Sequence, residues 1–180
     1  STHRHTLFPY TTLFRSVGIS GKDGNLLKAK KILSETGDDL GWVGEVESVD
    51  TKILNVLLDS GFIPVISPIG WGEEGRPFNI NADIAASSIA KALKAEKLIY
   101  ISDVPGVMIN NERVGSIDQE TAEKYILEGK ITGGMIPKTR SAFDTIEGGV
   151  NKVHLIDGRT PHALLLELFT DEGIGTQFIS

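Results

Sequence analysis

Residues 82–102, ADIAASSIAKALKAEKLIYIS, join a helical pattern directly to a strand pattern. Apolar side chains recur three and four positions apart in the first part, which predicts a helix. The inward-facing residues of this helix are predicted to be Ile84, Ala85, Ser88, Ile89, Ala92 and Leu93. The run KLIYIS (97–102) is short, apolar and β-branched, as expected of a strand buried on both faces. A helix that leads straight into such a strand is typical of an α/β protein with a parallel sheet.

Strand and helix patterns continue to alternate on both sides of this stretch. Upstream, TKILNVLLDSG (51–61) predicts a helix that ends at Gly61, and FIPVISPIG (62–70) predicts a strand buried on both faces. Downstream, the predicted helices are DQETAEKYILEGK (118–130), with Asp118 as its N-cap, MIPKTRSAFDTIEGG (135–149) and PHALLLELFT (161–170), and the predicted strands are VHLID (153–157) and GTQFIS (175–180). This order predicts a mainly parallel sheet covered on both faces, a three-layer αβα sandwich.

Residues 17–49 follow a different pattern. GISGKDGNLLKAKKI (18–32) and GWVGEVESVD (41–50) carry turn glycines and alternating apolar residues but no helical period. Such segments predict hairpins, which we place at an edge of the sheet.

The composition argues against several kinds of site and partner. The chain has 180 residues, no cysteine and a formal net charge of −6 at pH 7. The lack of cysteine excludes disulfides and thiolate metal sites, and four scattered histidines do not suggest a metal site. The acidic balance argues against a nucleic-acid or membrane partner, and no apolar run approaches the ~20 residues of a membrane span.

The first sixteen residues, STHRHTLFPYTTLFRS, stand apart from the rest. Pro9, Thr11 and Thr12 interrupt the apolar core that a secretory signal needs, whereas a basic, acid-free transit peptide is chemically compatible. Residues 6–16 also resemble the translation of a common short-read sequencing adapter. We expect that residues 1–16 are not native and that the natural sequence enters at about Val17.

Three loops carry unusual residues where ligands gather in open parallel sheets, after the carboxyl ends of strands or at a helix start. In ITGGMIPK (131–138), Gly133 and Gly134 let a phosphate approach the backbone, and Lys138 supplies a positive charge one turn inside the helix. The stretch is not the GxxxxGK[ST] phosphate loop, and taken alone it is more simply explained as a plain glycine turn before a helix.

The other two loops also allow two interpretations. In FNINAD (78–83), Asn79 and Asp83 fit either helix capping or substrate binding. In SDVPGV (102–107), Ser102 and Asp103 precede a Pro-Gly turn and fit either an Asx turn or a ligand loop. His154, inside a predicted strand, fits a hydrogen-bonded core residue as well as a functional one.

Taken in order, the motifs resemble those of one family. The similar stretches are GISGKDGN, VGEVESVD, IPVISPIG, NINADIAA, LIYISDVPGV, GGMIPK, VHLIDGRTPHALLLELFT and GIGT. Across Val17 to Ser180 they resemble the carboxyl-terminal part of the acetylglutamate kinases, which have the amino acid kinase fold. NINAD together with GGMIPK separates these enzymes from carbamate kinase, aspartokinase and uridylate kinase relatives.

The resemblance implies an activity and a set of site residues. These kinases transfer the γ-phosphoryl group of ATP, with Mg²⁺, to the side-chain carboxylate of N-acetyl-L-glutamate, a step of arginine biosynthesis. The resemblance implies that Lys138 contacts the moving phosphoryl group, that Asp83 orients the catalytic lysines and that Asn79 binds acetylglutamate. It implies a nucleotide site, with no protein metal ligands, formed by Ser102, Asp103, Gly106, Gly133 and Gly134.

The carboxyl-terminal part also resembles the arginine-inhibited branch of the family. On this resemblance His154, Glu167 and Gly173 bind arginine as an inhibitor, and Glu167 could pair with its guanidinium in a bidentate way. A solvated helix residue is the alternative interpretation of Glu167.

The resemblance further implies a cytoplasmic homo-oligomer and a division of the chain. Residues 17–81 would be the remnant of an acetylglutamate-binding lobe and residues 82–180 an ATP-binding lobe. An upstream glycine-rich strand with a second phosphate-binding lysine, and an arginine that grips acetylglutamate, are absent from the sequence. Two alternatives therefore stay open: this chain alone is an inactive nucleotide-binding fragment, or the parent enzyme is a related acetylaminoadipate kinase.

Overall fold

The structure is a computed structural model that describes residues 15–34, 36–170 and 173–180. The chain divides into two compact units, Ser1–Ala85 and Ala86–Ser180. The division lies inside helix α2, Ala82–Leu93. Most of the predicted non-native segment, residues 1–14, lies outside the described residues, so its origin stays a prediction.

The first unit begins with a parallel pair of strands. β1, Ser16–Ser20, pairs with β4, Ile63–Ser67, in register from Ser16 with Ile63 to Ser20 with Ser67. Helix α1, Lys52–Asp59, precedes β4, and Gly61 after it has φ +76, as predicted for its C-terminal turn. The predicted hairpin is therefore wrong for residues 17–20, because parallel partners need a long crossover, which here includes α1.

The same unit contains a small closed barrel of four strands. Its strands are β2, Leu27–Leu33, β3, Asp39–Val49, β5, Ile69–Trp71, and β6, Pro77–Ile80, in the order β2-β3-β6-β5. β2 and β3 form the predicted antiparallel hairpin, but β5 pairs with β2 and closes the barrel, so the hairpin is not at a sheet edge. Glycines make room inside, since a Cβ on Gly70 would lie 2.7 Å from Ile80 Cδ1.

Two burial predictions for this part of the chain are wrong. Ile63 and Val65 of β4 are more than half exposed, because β4 belongs to a two-stranded sheet rather than to the middle of a large one. In α2, the inward prediction is confirmed for Ala85 but wrong for Ile84 and Ala92, which are exposed, and it missed Ser87 and Ala90, which are buried. Ser87 was missed because its hydroxyl is satisfied by Thr145 Oγ1 at 2.6 Å, which no sequence period reveals.

The second unit is built on a mainly parallel sheet in the order β10-β12-β11-β7. Its strands are β7, Lys97–Ser102, β10, Ser116–Asp118, β11, Lys152–Asp157, and β12, Thr176–Ile179. β10 runs parallel to β12 and β11 parallel to β7, while β11 and β12 are antiparallel. The short strands β8, Met108–Ile109, and β9, Glu112–Arg113, form a separate hairpin.

Three helices accompany this sheet: α3, Gln119–Leu127, α4, Met135–Glu147, and α5, Ala163–Phe169. Asp118 caps α3 as predicted, since its Oδ1 accepts the Thr121 N–H at 2.8 Å. Thr139, Ala142 and Phe143 lie on the inward side of α4 and are buried. Phe143 meets Phe178 of β12 edge to face at 5.4 Å between ring centroids, in the middle of the core.

The strand register places two loops side by side. β7 and β11 are parallel neighbours, with Ser102 opposite Asp157 at their carboxyl ends. The loops that follow these strands therefore leave from the same edge of the sheet, where α/β proteins place ligands. In the part of the chain that the structure describes, no helix is long and apolar enough to cross a membrane.

Candidate functional site

The Pro-Gly turn after β7 forms one wall of a cleft of about 230 Å³. We call this space the glycine-turn cleft. It is lined by Val104, Pro105, Gly106, Val107, Met108, Lys130, Ile131, Thr132 and Met135. The structure thus brings together two of the three loops singled out in the sequence: the turn after β7 and the segment that leads into α4.

Gly106 is required by its surroundings. Its φ is +131, and a Cβ at this position would lie 2.5 Å from Thr176 Oγ1. The Thr176 hydroxyl accepts the Val107 N–H at 2.9 Å and donates to Val114 O at 2.6 Å. Sequence analysis missed Thr176, although it belongs to the GIGT motif, because its partners lie far away along the chain.

Gly133 and Gly134 differ from Gly106, because packing does not require them. Both are exposed, and a Cβ on either would meet no atom within 4 Å. A bare backbone in open space leaves room for a ligand to approach closely. Two amides of this turn are already used, however, since Met135 N and Ile136 N donate to Thr132 O and Gly133 O at 3.2 Å.

Ser102 and Asp103 follow β7 next to the loop after β11. Ser102 Oγ donates to Asp103 Oδ1 at 3.3 Å, and Gly158 N donates to Ser102 O at 2.8 Å. In that neighbouring loop Arg159 grips Asp157 through Nε and Nη2 at 2.9 and 2.8 Å. This bidentate bond, helped by the Arg159 backbone N–H, lowers the pKa of Asp157 to about 2. Sequence analysis did not identify this pair, although the motif DGR (157–159) places an acidic and a basic residue two positions apart.

The remaining predicted catalytic and substrate residues lie in different units. Lys138 is a half-buried residue in the first turn of α4, in the second unit. Asn79 is an exposed residue of β6, and Asp83 lies in the first turn of α2, both in the first unit. The cap of α2 is Asn81, whose Oδ1 accepts the N–H groups of Asp83 and Ile84 at 2.9 and 3.3 Å.

A second cleft, of about 310 Å³, lies in the same unit as the glycine-turn cleft. We call it the polar cleft. Its lining residues are Lys97, Gly115, Lys152, His154, Glu167, Leu168, Thr170, Gly173, Gly175 and Gln177. All three residues predicted to bind an effector, His154, Glu167 and Gly173, are therefore brought together, and two lysines that the sequence analysis did not single out join them.

Glu167 is buried at the centre of the polar cleft, with only 5% of its surface exposed. Its Oε1 contacts His154 Nδ1 and lies 3.7 Å from Lys97 Nζ, while its Oε2 accepts the Ile174 N–H at 3.1 Å. The interpretation of Glu167 as a solvated helix residue is therefore wrong. Each carboxylate oxygen can accept two hydrogen bonds, so capacity for a further donor remains.

His154 is the second buried titratable group of the polar cleft. Burial lowers its pKa, Lys97 and Lys152 act in the same direction, and the Glu167 carboxylate opposes them. Among the described residues, His154 Nε2 has no hydrogen-bond partner although it is buried. A buried polar atom without a partner favours a functional rather than a purely structural role for this histidine.

These features belong to a known class of protein. The family model of the amino acid kinase family matches residues 7–157, so the chain is a member of that family. Within it, the chain is 54% identical over 166 residues to the acetylglutamate kinase of Chlorobium phaeobacteroides, and 51% identical over 173 residues to that of Aquifex aeolicus. These matches cover 92% and 90% of this chain but 54% and 58% of the two enzymes, so the chain spans about half the length of these relatives.

Solved structures give the same fold. N-acetylglutamate synthase from Neisseria gonorrhoeae, complexed with coenzyme A and L-arginine, matches with a TM-score of 0.81 and 30% identity, over 99% of this chain and 40% of that one. Carbamate kinase from Giardia lamblia bound to AMP-PNP matches with a TM-score of 0.62 at 17% identity, over 92% of this chain and 62% of that one. The second likeness concerns the fold alone.

Proposed function

We propose that this chain is part of an enzyme that transfers the γ-phosphoryl group of ATP to the side-chain carboxylate of N-acetyl-L-glutamate. The observation that carries the proposal is the 54% identity to an acetylglutamate kinase over 92% of the chain. The motifs GGMIPK and SDVPGV, which suggested the family, border one cleft in the second unit. A cytoplasmic homo-oligomer is the expected form of such an enzyme.

In this proposal the glycine-turn cleft and the loops around it receive ATP. Phosphoryl transfer depends mainly on alignment of the reactants and neutralisation of charge, for which backbone N–H groups and lysines are suited. The exposed backbone at Gly133 and Gly134 would face the phosphates, and the Gly106 turn with Ser102 and Asp103 would line the rest of the nucleotide.

Mg²⁺ enters this proposal with the nucleotide. The described ranges 15–34, 36–170 and 173–180 contain no group of three or more His, Asp or Glu side chains that could hold a metal ion. Mg²⁺ in kinase sites is commonly bound through substrate phosphates, so the phosphates of ATP would supply ligands here. We assign no step of the reaction to the ion.

The side chains closest to the chemistry are carried over from the resemblance. Lys138 would contact the transferring phosphoryl group, which suits a mobile ammonium in the first turn of a helix that follows two exposed glycines. Asp83 would orient catalytic lysines, and Asn79 would bind acetylglutamate.

The decisive experiment places the chain in a complete enzyme. Residues 17–180 are joined to the amino-terminal part of the Chlorobium phaeobacteroides acetylglutamate kinase, and turnover of ATP with N-acetyl-L-glutamate is measured beside the 180-residue chain alone. Lys138→Ala in the chimera should lower kcat by orders of magnitude, because the charge of the transferring group loses its partner. Lys124→Ala, on the exposed side of α3, is the matched control and should leave kcat unchanged.

Three outcomes separate the open alternatives. An active chimera beside an inactive 180-residue chain supports the fragment interpretation. A higher kcat/KM for acetylaminoadipate than for acetylglutamate would favour the related kinase. A folded chimera that turns over neither substrate, or a Lys138→Ala variant with normal kcat, would refute the proposal.

We further propose that the polar cleft binds arginine as a feedback inhibitor. The Glu167 carboxylate suits a guanidinium group, and Lys97 and Lys152 on the same cleft suit the α-carboxylate of a free amino acid. The N-acetylglutamate synthase that resembles this chain is complexed with L-arginine, which supports the choice of ligand. Millimolar arginine should inhibit the active chimera, and unchanged activity would contradict this part of the proposal.

A further inference from the structure

One strand borders both clefts of the second unit. At the start of β12, Gly175 and Gln177 line the polar cleft, while Thr176 between them contacts the turn of the glycine-turn cleft. Successive side chains of a strand point to opposite faces, so this short segment contacts both clefts.

Thr176 is bound to the Pro-Gly turn through its hydroxyl group. The residue is fully buried, and its hydroxyl accepts the Val107 N–H at 2.9 Å and donates its only proton to Val114 O at 2.6 Å. Val114 N in turn donates to Val107 O at 2.9 Å. The hydroxyl therefore replaces one rung of the pairing between residues 107 and 114, and loss of it would leave a buried donor and a half-buried acceptor without these bonds.

The neighbours of Thr176 are attached to the same region. Arg113 Nη1 donates to Gly175 O at 3.1 Å, and Gln177 N donates to Gly115 O at 2.9 Å. Gly106 also packs closely against Thr176, because even a methyl group at Gly106 would lie 2.5 Å from Thr176 Oγ1. The turn thus cannot move away from β12 without breaking the bond between Val107 N and Thr176 Oγ1.

We propose that Thr176 is a positioning residue that couples the polar cleft to the glycine-turn cleft. A ligand that contacts Gly175 and Gln177 shifts the start of β12, and the Thr176 hydroxyl carries the shift to Val107 and the Gly106 turn, where it changes nucleotide affinity. The inference rests on the proposed function, since it takes arginine and ATP as the two ligands. Thermodynamic linkage requires that each ligand change the affinity for the other by the same factor.

Calorimetric titration of the 180-residue chain and of the chimera tests this coupling. The dissociation constant of Mg·ATP is measured with and without saturating L-arginine, and a ratio of about five or more is expected for the wild type. Thr176→Val keeps the shape but removes the hydroxyl, so the ratio should fall to about one while arginine affinity without nucleotide changes less than about twofold. Thr176→Ser keeps the hydroxyl and should restore the wild-type ratio, which a role in packing alone would not predict.

A Thr176→Val ratio equal to that of the wild type would overturn the coupling role. A second measurement needs no variant: arginine should change the hydrogen-exchange rate of the Val107 amide in the wild-type chain. If arginine slows exchange at the Ile174 amide, beside Glu167, but leaves Val107 unchanged, the inference is wrong while the arginine site stands. If the wild type binds neither ligand, the proposed function itself fails, and that result is distinct from the previous two.

Discussion

The two clefts of the second unit are lined by different kinds of chemical groups. The glycine-turn cleft is bounded mainly by backbone and apolar side chains, and its key residue is Gly106, where φ is +131 and Thr176 Oγ1 leaves no space for a side chain. The polar cleft is built around a buried carboxylate, Glu167, with His154 and Lys97 against it. The shape of a cleft formed by backbone depends on the backbone conformation. The stability of a cleft formed around buried charges depends on how well those charges neutralise one another. The two should therefore fail differently when mutated.

The largest effect should come from Gly106→Ala. Strain at positive φ and the close approach to Thr176 Oγ1 should lower the free energy of unfolding by about 2–3 kcal/mol. Gly134→Ala is the matched control, because Gly134 has φ −65 and open space around it, and the change should stay within about 0.5 kcal/mol. Chemical denaturation measures both. Equal changes in the free energy of unfolding of the two variants would show that Thr176 does not constrain the Gly106 turn.

Glu167→Gln should act on the polar cleft with little change in size. Removal of the buried charge should weaken arginine binding by about 2 kcal/mol, or roughly 30-fold, as for other buried charge partners. The control is Glu123→Gln, since Glu123 makes its ion pair with Arg140 at the surface. Calorimetry with L-arginine gives both affinities, and an unaltered affinity in Glu167→Gln would mean that arginine does not bind this carboxylate.

His154 should make stability depend on pH. Burial holds its pKa in the folded chain below the ordinary value of 6.5. The unfolded chain therefore binds the proton more readily, so this stabilisation is complete above pH 6.5 and is lost as the pH falls through the folded pKa. His154→Gln should flatten the dependence of stability on pH in this window. A proton NMR titration of His154 that gives a pKa above 6.5 would reverse the predicted sign.

The smallest effect should come from the pair formed by Asp157, at the carboxyl end of the same strand, and Arg159 in the loop that follows. Arg159→Gln should raise the pKa of Asp157 from about 2 towards 3.8, because the bidentate bond is lost. In the wild type the contribution of this pair is complete above pH 3.8 and is lost as the pH falls towards about 2. Carbon-detected NMR of the carboxyl group follows the shift, and an unchanged pKa would mean that Arg159 does not hold Asp157 in solution.

Much of the fold follows from the sequence, and the errors have physical causes. The helices at α1, α2, α3 and α4 and the strands at β7, β11 and β12 were predicted because their periods are long or their apolar runs are bounded by turns. The parallel pairing of β1 with β4 was not predicted, because parallel pairing joins segments that are distant along the chain. Pro68 also splits the predicted strand 62–70 into β4 and β5, and β5 enters the barrel instead.

The residues of the candidate site also divide into those that the sequence could indicate and those that it could not. Local motifs singled out the loops that carry Ser102, Asp103, Gly106, Gly133 and Gly134, but only the resemblance assigned these residues to a nucleotide site and three residues of the polar cleft to an effector site. Lys97 and Lys152 could not be assigned to that cleft, because lysines in strands have no sequence signal that tells which face they occupy relative to a distant glutamate. Thr176 could not be assigned either, since its partners lie more than sixty residues upstream.

The sequence by itself determined the class of fold, the family and the short motifs, because these depend on local periodicity and on the order of segments. Only the tertiary structure decided which residues share a cleft. It brought the Pro-Gly turn to the start of α4, buried Glu167 against His154, and placed the Thr176 hydroxyl in the pairing of residues 107 and 114. These contacts arise from sheet order and register, and the free energy that fixes them is shared among residues that are far apart in the chain.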